Sequence, residues 1–246
     1  MTENNTHPRF LVTGDVHGSY DIHKLSAHSF KYNDFDPPLT KEDYLVICGD
    51  FGLVWDWCGE NKEERYWLDW LEEKPWTTLF VDGNHECFPR LNEFPVEQWN
   101  GGKIHRISDS IFHLMRGQVF NIDGTTLFVC GGANSHDTQY RTEGKSWWSQ
   151  EIPSFCEREE ALANLAANDW KVDYVITHDT PTDIARMILH GWEIYDRPLN
   201  EYTDWLQEIA DKLEFKQWFF GHYHQDKELL DGKYQAMYYD IVMLED

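Results

Sequence analysis

Five short apolar runs of this chain end in the same way, each giving out into a polar turn that carries Asp, Asn or His. The runs Phe10–Thr13, Tyr44–Cys48, Thr77–Val81, Tyr174–Thr177 and Gln217–Phe220 read as buried strands, because they are short, rich in β-branched and aromatic residues, and bounded by turn residues. They lead into Gly14-Asp15-Val16-His17-Gly18, Gly49-Asp50, Gly83-Asn84-His85-Glu86, Thr177-His178-Asp179 and Gly221-His222-Tyr223-His224. In open α/β sheets, ligands bind outside the carboxyl ends of strands, where loops converge and backbone groups are free. These ends therefore predict one shared pocket.

The rest of the chain supports an α/β arrangement. Lys62–Glu73 places Trp67, Leu68, Trp70 and Leu71 at helical spacing among charged residues. Ser154 with Glu157 is a capping box that opens a helix running to about Asn168. A third helix is expected over Glu201–Leu213. A sixth strand, Leu127–Cys130, precedes the glycine-rich turn Gly131-Gly132-Ala133-Asn134-Ser135-His136-Asp137, and Asp123-Gly124 and Asp231-Gly232 read as hairpin turns. Parallel-type units followed by hairpins predict two packed sheets with helices outside, in one domain over residues 1–246.

A chain of 246 residues buries most of its apolar surface without disulfides or a structural metal, which leaves any metal free for chemistry. Its formal charge of -23, from 44 acidic against 21 basic residues, repels duplex nucleic acid and anionic membranes, so neither is an expected partner. The cysteines Cys48, Cys58, Cys87, Cys130 and Cys156 are odd in number and form no C-x-x-C pair, as reduced thiols do. The amino terminus, Met1–Arg9, is polar, and no apolar run is long enough for a signal peptide or a bilayer span, so the expected location is the cytoplasm. Nothing in the sequence sets an oligomeric state.

The polar turns carry a ligand set. Glycine before the polar residue in four of the five turns lets the chain leave a strand sharply or pass close to an ion. Asp15 and His17, and again His222 and His224, are two apart, which in an extended strand puts both side chains on one face. Seven candidate ligands of mixed oxygen and nitrogen type, Asp15, His17, Asp50, Asn84, His178, His222 and His224, suit a borderline divalent ion such as manganese, iron or zinc better than magnesium. They are too many for one tetrahedral site but suffice for two ions if one carboxylate bridges them.

The ordered series D-x-H, G-D, G-N-H-E, strand-terminal His and G-H-x-H resembles the calcineurin-like metallophosphoesterases, from Asp15 to His224. The resemblance implies a sandwich of two mixed β-sheets flanked by helices, the calcineurin-like αββα sandwich, with a dinuclear site along one edge. It implies that Asp15, His17, Asp50 and His224 hold one metal and Asp50, Asn84, His178 and His222 the other, with Asp50 as bridge. The implied cofactors are two divalent ions, manganese first and iron or zinc as alternatives, with a bridging hydroxide as nucleophile and Asp50, Asn84 and His85 at the reacting centre. His85 would assist the leaving oxygen. Four positive charges against three negative ones leave a site that attracts phosphate despite the acidic surface.

The second block departs from the G-D-x-V-D-R-G pattern of the protein Ser/Thr phosphatases, since Asp50 is followed by Phe51-Gly52-Leu53-Val54-Trp55-Asp56. The expected substrate is accordingly a small phosphorylated molecule, a mono- or diester, with small or cyclic nucleotides as one alternative and a catalytically silent scaffold of the same fold as another. Arg116, Asn134, His136 and Arg141 are candidate substrate contacts from their places in loops, Arg116 and Arg141 being read otherwise as surface ion pairs. Asp56, Asp82 and Asp179 are candidates for the acid that orients His85. Trp55, Trp57, Trp147 and Trp148 either pack loops against the core or stack a base.

Overall fold

The computed structural model describes residues 7–189 and 199–244, so most of the polar amino-terminal stretch lies outside it. Among the described residues thirteen strands are formed: β1 (Phe10–Thr13), β2 (Tyr44–Ile47), β3 (Thr77–Phe80), β4 (Val96–Trp99), β5 (Gly102–Arg106), β6 (Ile111–Leu114), β7 (Gln118–Ile122), β8 (Thr125–Cys130), β9 (Tyr174–Thr177), β10 (Gln217–Phe220), β11 (Lys227–Leu229), β12 (Tyr234–Ala236) and β13 (Ile241–Met243). They make a seven-stranded sheet in the order β13-β1-β2-β3-β6-β5-β4 and a six-stranded sheet in the order β11-β12-β10-β9-β8-β7. Both sheets are mixed. In the first, β1, β2, β3 and β6 run parallel, with antiparallel strands at either side. In the second, β8, β9, β10 and β12 run parallel between antiparallel β7 and β11.

Side-chain alternation divides the strand residues among three apolar layers. Val12, Val46 and Leu79 face Ile176, Phe219 and Phe120 in the seam between the sheets. Leu11, Leu45, Ile47 and Phe80 point the other way, onto Leu71 and Trp76 beside the helix Lys62–Glu72. Val175, Trp218 and Phe220 pack against Ala161, Leu165, Tyr202 and Leu206 from the helices Phe155–Ala167 and Glu201–Ala210. Each such buried side chain contributes roughly 1.5–3 kcal/mol, which fixes the strand ends that carry the polar turns. The result is helices, sheet, sheet, helices.

Two elements were harder to read from sequence. The β4–β5 hairpin turns at Asn100-Gly101 with φ of 46° and 92°, an Asn-Gly signal of the usual hairpin kind masked by short, half-polar flanking strands. The third helix ends at Ala210 rather than Leu213, and its capping Asn200 accepts from the Tyr202 and Thr203 N–H groups. The capping box at Ser154 and Glu157 is formed, and the hairpins at Asp123-Gly124 and Asp231-Gly232 join antiparallel pairs.

Candidate metal centre

Because β1, β2 and β3 are parallel neighbours in one sheet and β9 and β10 in the other, their carboxyl ends meet along one edge of the sandwich. Asp50 lies at the middle of that edge, almost wholly buried. Its Oδ2 is 3.2 Å from His17 Nε2, and its Oδ1 is 3.3 Å from His178 Nε2. Asn84 Oδ1 lies 3.3 Å from the same His178 nitrogen. On the other side, His224 Nε2 is 3.2 Å from Asp15 Oδ2. Single donor atoms of Asp15, His17, Asp50 and His224 all lie within 4.8 Å of one another. The His222 ring packs edge-on to His178, with centroids 5.0 Å apart.

The turns are built for this convergence, though not through extended strands as the i, i+2 spacing suggests. His17, Asp50, His222 and His224 all have positive φ, of 48°, 47°, 66° and 52°. Each ligand pair is turned inward by a left-handed residue, a conformation unfavourable for a side chain and concentrated at functional sites. Glycine is obligatory beside them. A Cβ on Gly49, whose φ is 95°, would sit 2.1 Å from His178 Nδ1, and one on Gly221 would sit 2.1 Å from Asp15 Oδ1.

Neighbouring groups fix the donors. His178 Nδ1 donates to the Cys48 carbonyl at 2.8 Å, which leaves the Nε2 lone pair facing Asp50 and Asn84. His17 Nδ1 donates to Asp21 at 2.8 Å, with the same effect. Asp15 accepts from the His222 N–H at 3.0 Å, and Asp50 from the His85 N–H at 2.8 Å. The buried Lys24 ammonium donates to the carbonyls of Gly14, Asp15 and Tyr238, tying the first turn to the end of the chain. Glu86 accepts from Phe51 N–H at 2.6 Å and Gly83 N–H at 2.8 Å, stapling the second turn to the third. Asn84 Nδ2 donates to Ser135 Oγ at 3.2 Å, and Ser135 in turn bonds Glu151 through its N–H and hydroxyl. That relay points the amide oxygen of Asn84 toward the site.

Of these supporting residues, Asp21, Lys24, Glu86, Ser135 and Glu151 were not identified from sequence. Asp21 stands four residues after His17 and Glu86 directly after His85, so both had a local signal. Ser135 and Glu151 meet only through the fold.

The electrostatics call for positive charge. Burial opposes protonation of His17, yet Asp50 and Asp15 outweigh it and raise the ring to about 9. His178 is likewise raised to about 10 against its burial, chiefly by Asp50. Among the described residues no lysine or arginine donates to the carboxylate of Asp15 or Asp50. A set of oxygen and imidazole donors around two buried carboxylates that only imidazoles neutralise fits borderline divalent cations, which can take the place of the imidazole protons.

The remaining candidates fall in different places. His85 lies with its ring 5.4 Å from that of His17. Arg141 brings Nη2 to 3.5 Å from His85 Nε2, while its Nε donates to Asp137 at 2.6 Å and its Nη1 to the Ser146 carbonyl at 3.0 Å. Asn134 and His136 line a small cavity together with His222 and Tyr223. Arg116 is neither a surface ion pair nor near the ligands. It is buried and donates to Asp82 at 2.8 and 2.6 Å, because the Met115-Arg116-Gly117 segment links two core strands rather than a surface loop. Asp82 is thereby engaged away from His85, Asp56 accepts from Cys58 N–H and Asn61, and Asp179 accepts from Tyr223 and Thr180. Trp148 is buried against Trp55, which also flanks His85 at 5.3 Å, whereas Trp57 is exposed.

The chain matches the family model of the calcineurin-like phosphoesterases over residues 8–226 and belongs to that family. The family consists of phosphoester hydrolases that use divalent metals. Among curated proteins it is similar to the lariat debranching enzyme of Schizosaccharomyces pombe, at 25% identity over 88% of this chain and 48% of the relative. The lariat debranching enzymes of Danio rerio, at 24% identity over 88% and 40%, and Drosophila melanogaster, at 23% over 75% and 38%, are similar in the same way. The chain thus spans about half the length, or less, of these relatives. Among solved structures it is similar to the phosphopantetheinyl hydrolase PptH of Mycobacterium tuberculosis, with a TM-score of 0.48 and 15% identity over 94% of this chain and 88% of the other. Among the described residues no helix is long and apolar enough to cross a membrane.

Proposed function

We propose that this chain, acting as one domain, hydrolyses phosphate mono- or diesters at a centre where Asp15, His17, Asp50 and His224 hold one divalent ion and Asp50, Asn84, His178 and His222 hold a second. The supporting observation is the Asp50 carboxylate, whose two oxygens face two separate donor groups, His17 at 3.2 Å and His178 at 3.3 Å, as a shared ligand must. When bound, two such ions supply the charge that activates water near neutrality and draws in phosphate oxygens. Manganese suits the mixed donors best, with iron or zinc as alternatives.

The chain's own side chains supply the rest. His85 is held through its N–H by Asp50 and assists the leaving oxygen, by protonating it or by stabilising its charge. Arg141, with two of its nitrogens fixed by Asp137 and Ser146, presents the third beside His85 to the phosphate. Asn134 and His136 contact substrate from the His222 side. Arg116 has no part in this. Diesters are favoured by the similarity to enzymes that debranch lariats, and a small substrate by the net charge of -23. Five free cysteines fit a reducing cytoplasm.

The test is direct. Protein loaded with manganese should carry about two ions per chain and release p-nitrophenol from p-nitrophenyl phosphate or its bis ester. His85→Ala should keep both ions and lose most turnover on an unactivated ester. A folded protein that binds no metal and cleaves neither compound would be a scaffold, and the proposal would fail.

A further inference from the structure

Beside the metal ligands lies a cleft of about 790 Å³ whose walls include His17, His85 and His224, together with Trp55, Tyr20, Tyr238, Asp21 and Glu63. It opens directly from the centre, so an ester whose phosphate sits at the ligands and whose leaving oxygen faces His85 must place its alcohol portion here. That step rests on the proposed hydrolase reading. The volume is ample for a nucleoside-sized group, since small-molecule sites commonly measure about 300–1,000 Å³.

Two features of the walls restrict that group. One is aromatic. Tyr20 is 84% exposed at the rim, a large ring held in water where packing does not require it. Trp55 flanks His85 at 5.3 Å, and Tyr238 stacks on His224 at 4.9 Å with 23° between the planes. Such rings offer faces to a flat ring of a ligand. The other feature is charge. Asp21, Glu63 and Glu64 line the cleft, and among the described residues no lysine or arginine does. Glu64 is neutralised by Arg90 at 3.0 Å, and Asp21 is bonded by His17 and Tyr239, but Glu63 stands exposed. Arg141, beside His85, is not among the lining residues. A second phosphate on the alcohol portion would therefore meet the exposed Glu63 carboxylate and, among the described residues, no lysine or arginine lining the cleft to offset it.

We infer that this cleft receives the alcohol portion of the ester and selects one that bears a flat ring and carries no further negative charge, as an otherwise unphosphorylated nucleoside does.

A charge series tests this: thymidine 5′-phosphate and its methyl diester, each with a hydroxyl, an amine or a phosphate at the 3′ carbon, assayed on manganese-loaded protein by release of the free 5′-hydroxyl product, so that only the bond to the nucleoside oxygen is scored. The amine and hydroxyl compounds should be cleaved with kcat/KM at least about tenfold above the phosphate compound. Glu63→Lys should narrow that ratio. Tyr20→Ala should raise KM severalfold for the thymidine esters and much less for the matching base-free 2-deoxyribose esters. Equal or faster cleavage of the 3′-phosphate compound, or no response to either substitution, overturns the inference while the hydrolase reading stands. If no member of either series is cleaved with any divalent ion, the hydrolase reading fails and this inference fails with it.

Discussion

At the end of β3 the chain places Asp82 and Asn84 two positions apart, and their side chains belong to clusters of opposite character. Asp82 is bonded by Arg116 at 2.8 and 2.6 Å and by His113 at 3.1 Å, and His113 is itself 3.0 Å from His105. Asn84 belongs with Asp15, Asp50 and the histidines at the sheet edge. Asp82, Asp50 and Asp15 are equally buried, at 1%, 1% and 0% exposure, so burial does not separate the clusters. The compensating partner does. Burial pushes the Asp82 carboxyl up, but Arg116 and His113 more than offset it and hold it well below the usual range. In the other cluster Asp50 is also held well below the usual range against its burial, but by the imidazoles of His178, His85 and His17 and by no guanidinium. An imidazole can give up its proton and take a metal ion instead, whereas a guanidinium cannot, so the kind of partner separates a reactive buried carboxylate from a structural one.

Removing one carboxylate from each cluster gives the largest expected contrast. Asp50→Asn should remain folded and lose activity on the bis ester by about a thousandfold or more, because the shared ligand is gone. Asp82→Asn should cost about 3–5 kcal/mol of stability, because it strands the buried Arg116 charge. Urea unfolding and bis-ester hydrolysis measured on both variants decide the matter, and an exchange of the two outcomes would break the comparison.

A somewhat smaller effect is expected from pH. Burial and the neighbouring His113 lower the His105 ring to about 4, with Asp82 opposing. An unfolded chain takes up this proton near 6.5, so between those values the unfolded state binds more protons than the folded one. Stability should be full above about pH 6.5 and fall by up to about 3 kcal/mol as pH drops to about 4, then level off. His105→Gln should flatten that portion of the stability curve, and a slope unchanged by the substitution would assign it elsewhere.

The smallest change sharpens the view of the reactive cluster as one oriented by its neighbours. Ser135→Ala should weaken binding of one of two manganese ions by about 10–100-fold and leave the other nearly unchanged, since it removes the acceptor that holds the Asn84 amide. Titration calorimetry reads both affinities. Equal weakening of the two ions would show that Ser135 supports the fold rather than Asn84.

Much of this was visible in the order of residues. Strands β1, β9 and β10 are placed by short apolar runs, β1 and β10 with a glycine directly after them, and the polar residues that follow are named by adjacency alone. The capping box at Ser154 is local in the same sense. Arg116 shows where such reasoning stops. Its neighbours Met115 and Gly117 look like a loop, and only the arrival of Asp82, thirty-four residues earlier in the chain, makes it a buried ion pair. Ser135 and Glu151 carry no periodicity that would connect them, and they meet because the turn after β8 packs on the segment before a helix.

By itself, then, the sequence determined the strands that lead into the polar turns and which ligating side chains follow them, because those depend on residues within a few positions of one another. Only the tertiary structure decided that His17, Asp50, His222 and His224 turn inward through left-handed backbone, that Asp50 divides its two oxygens between His17 and His178, and that Asp82 is held by a guanidinium while Asp50 is held by imidazoles alone. Those outcomes depend on which distant charges and carbonyls come within about 3 Å, the range over which hydrogen bonds form, and that proximity is set by how the two sheets pack.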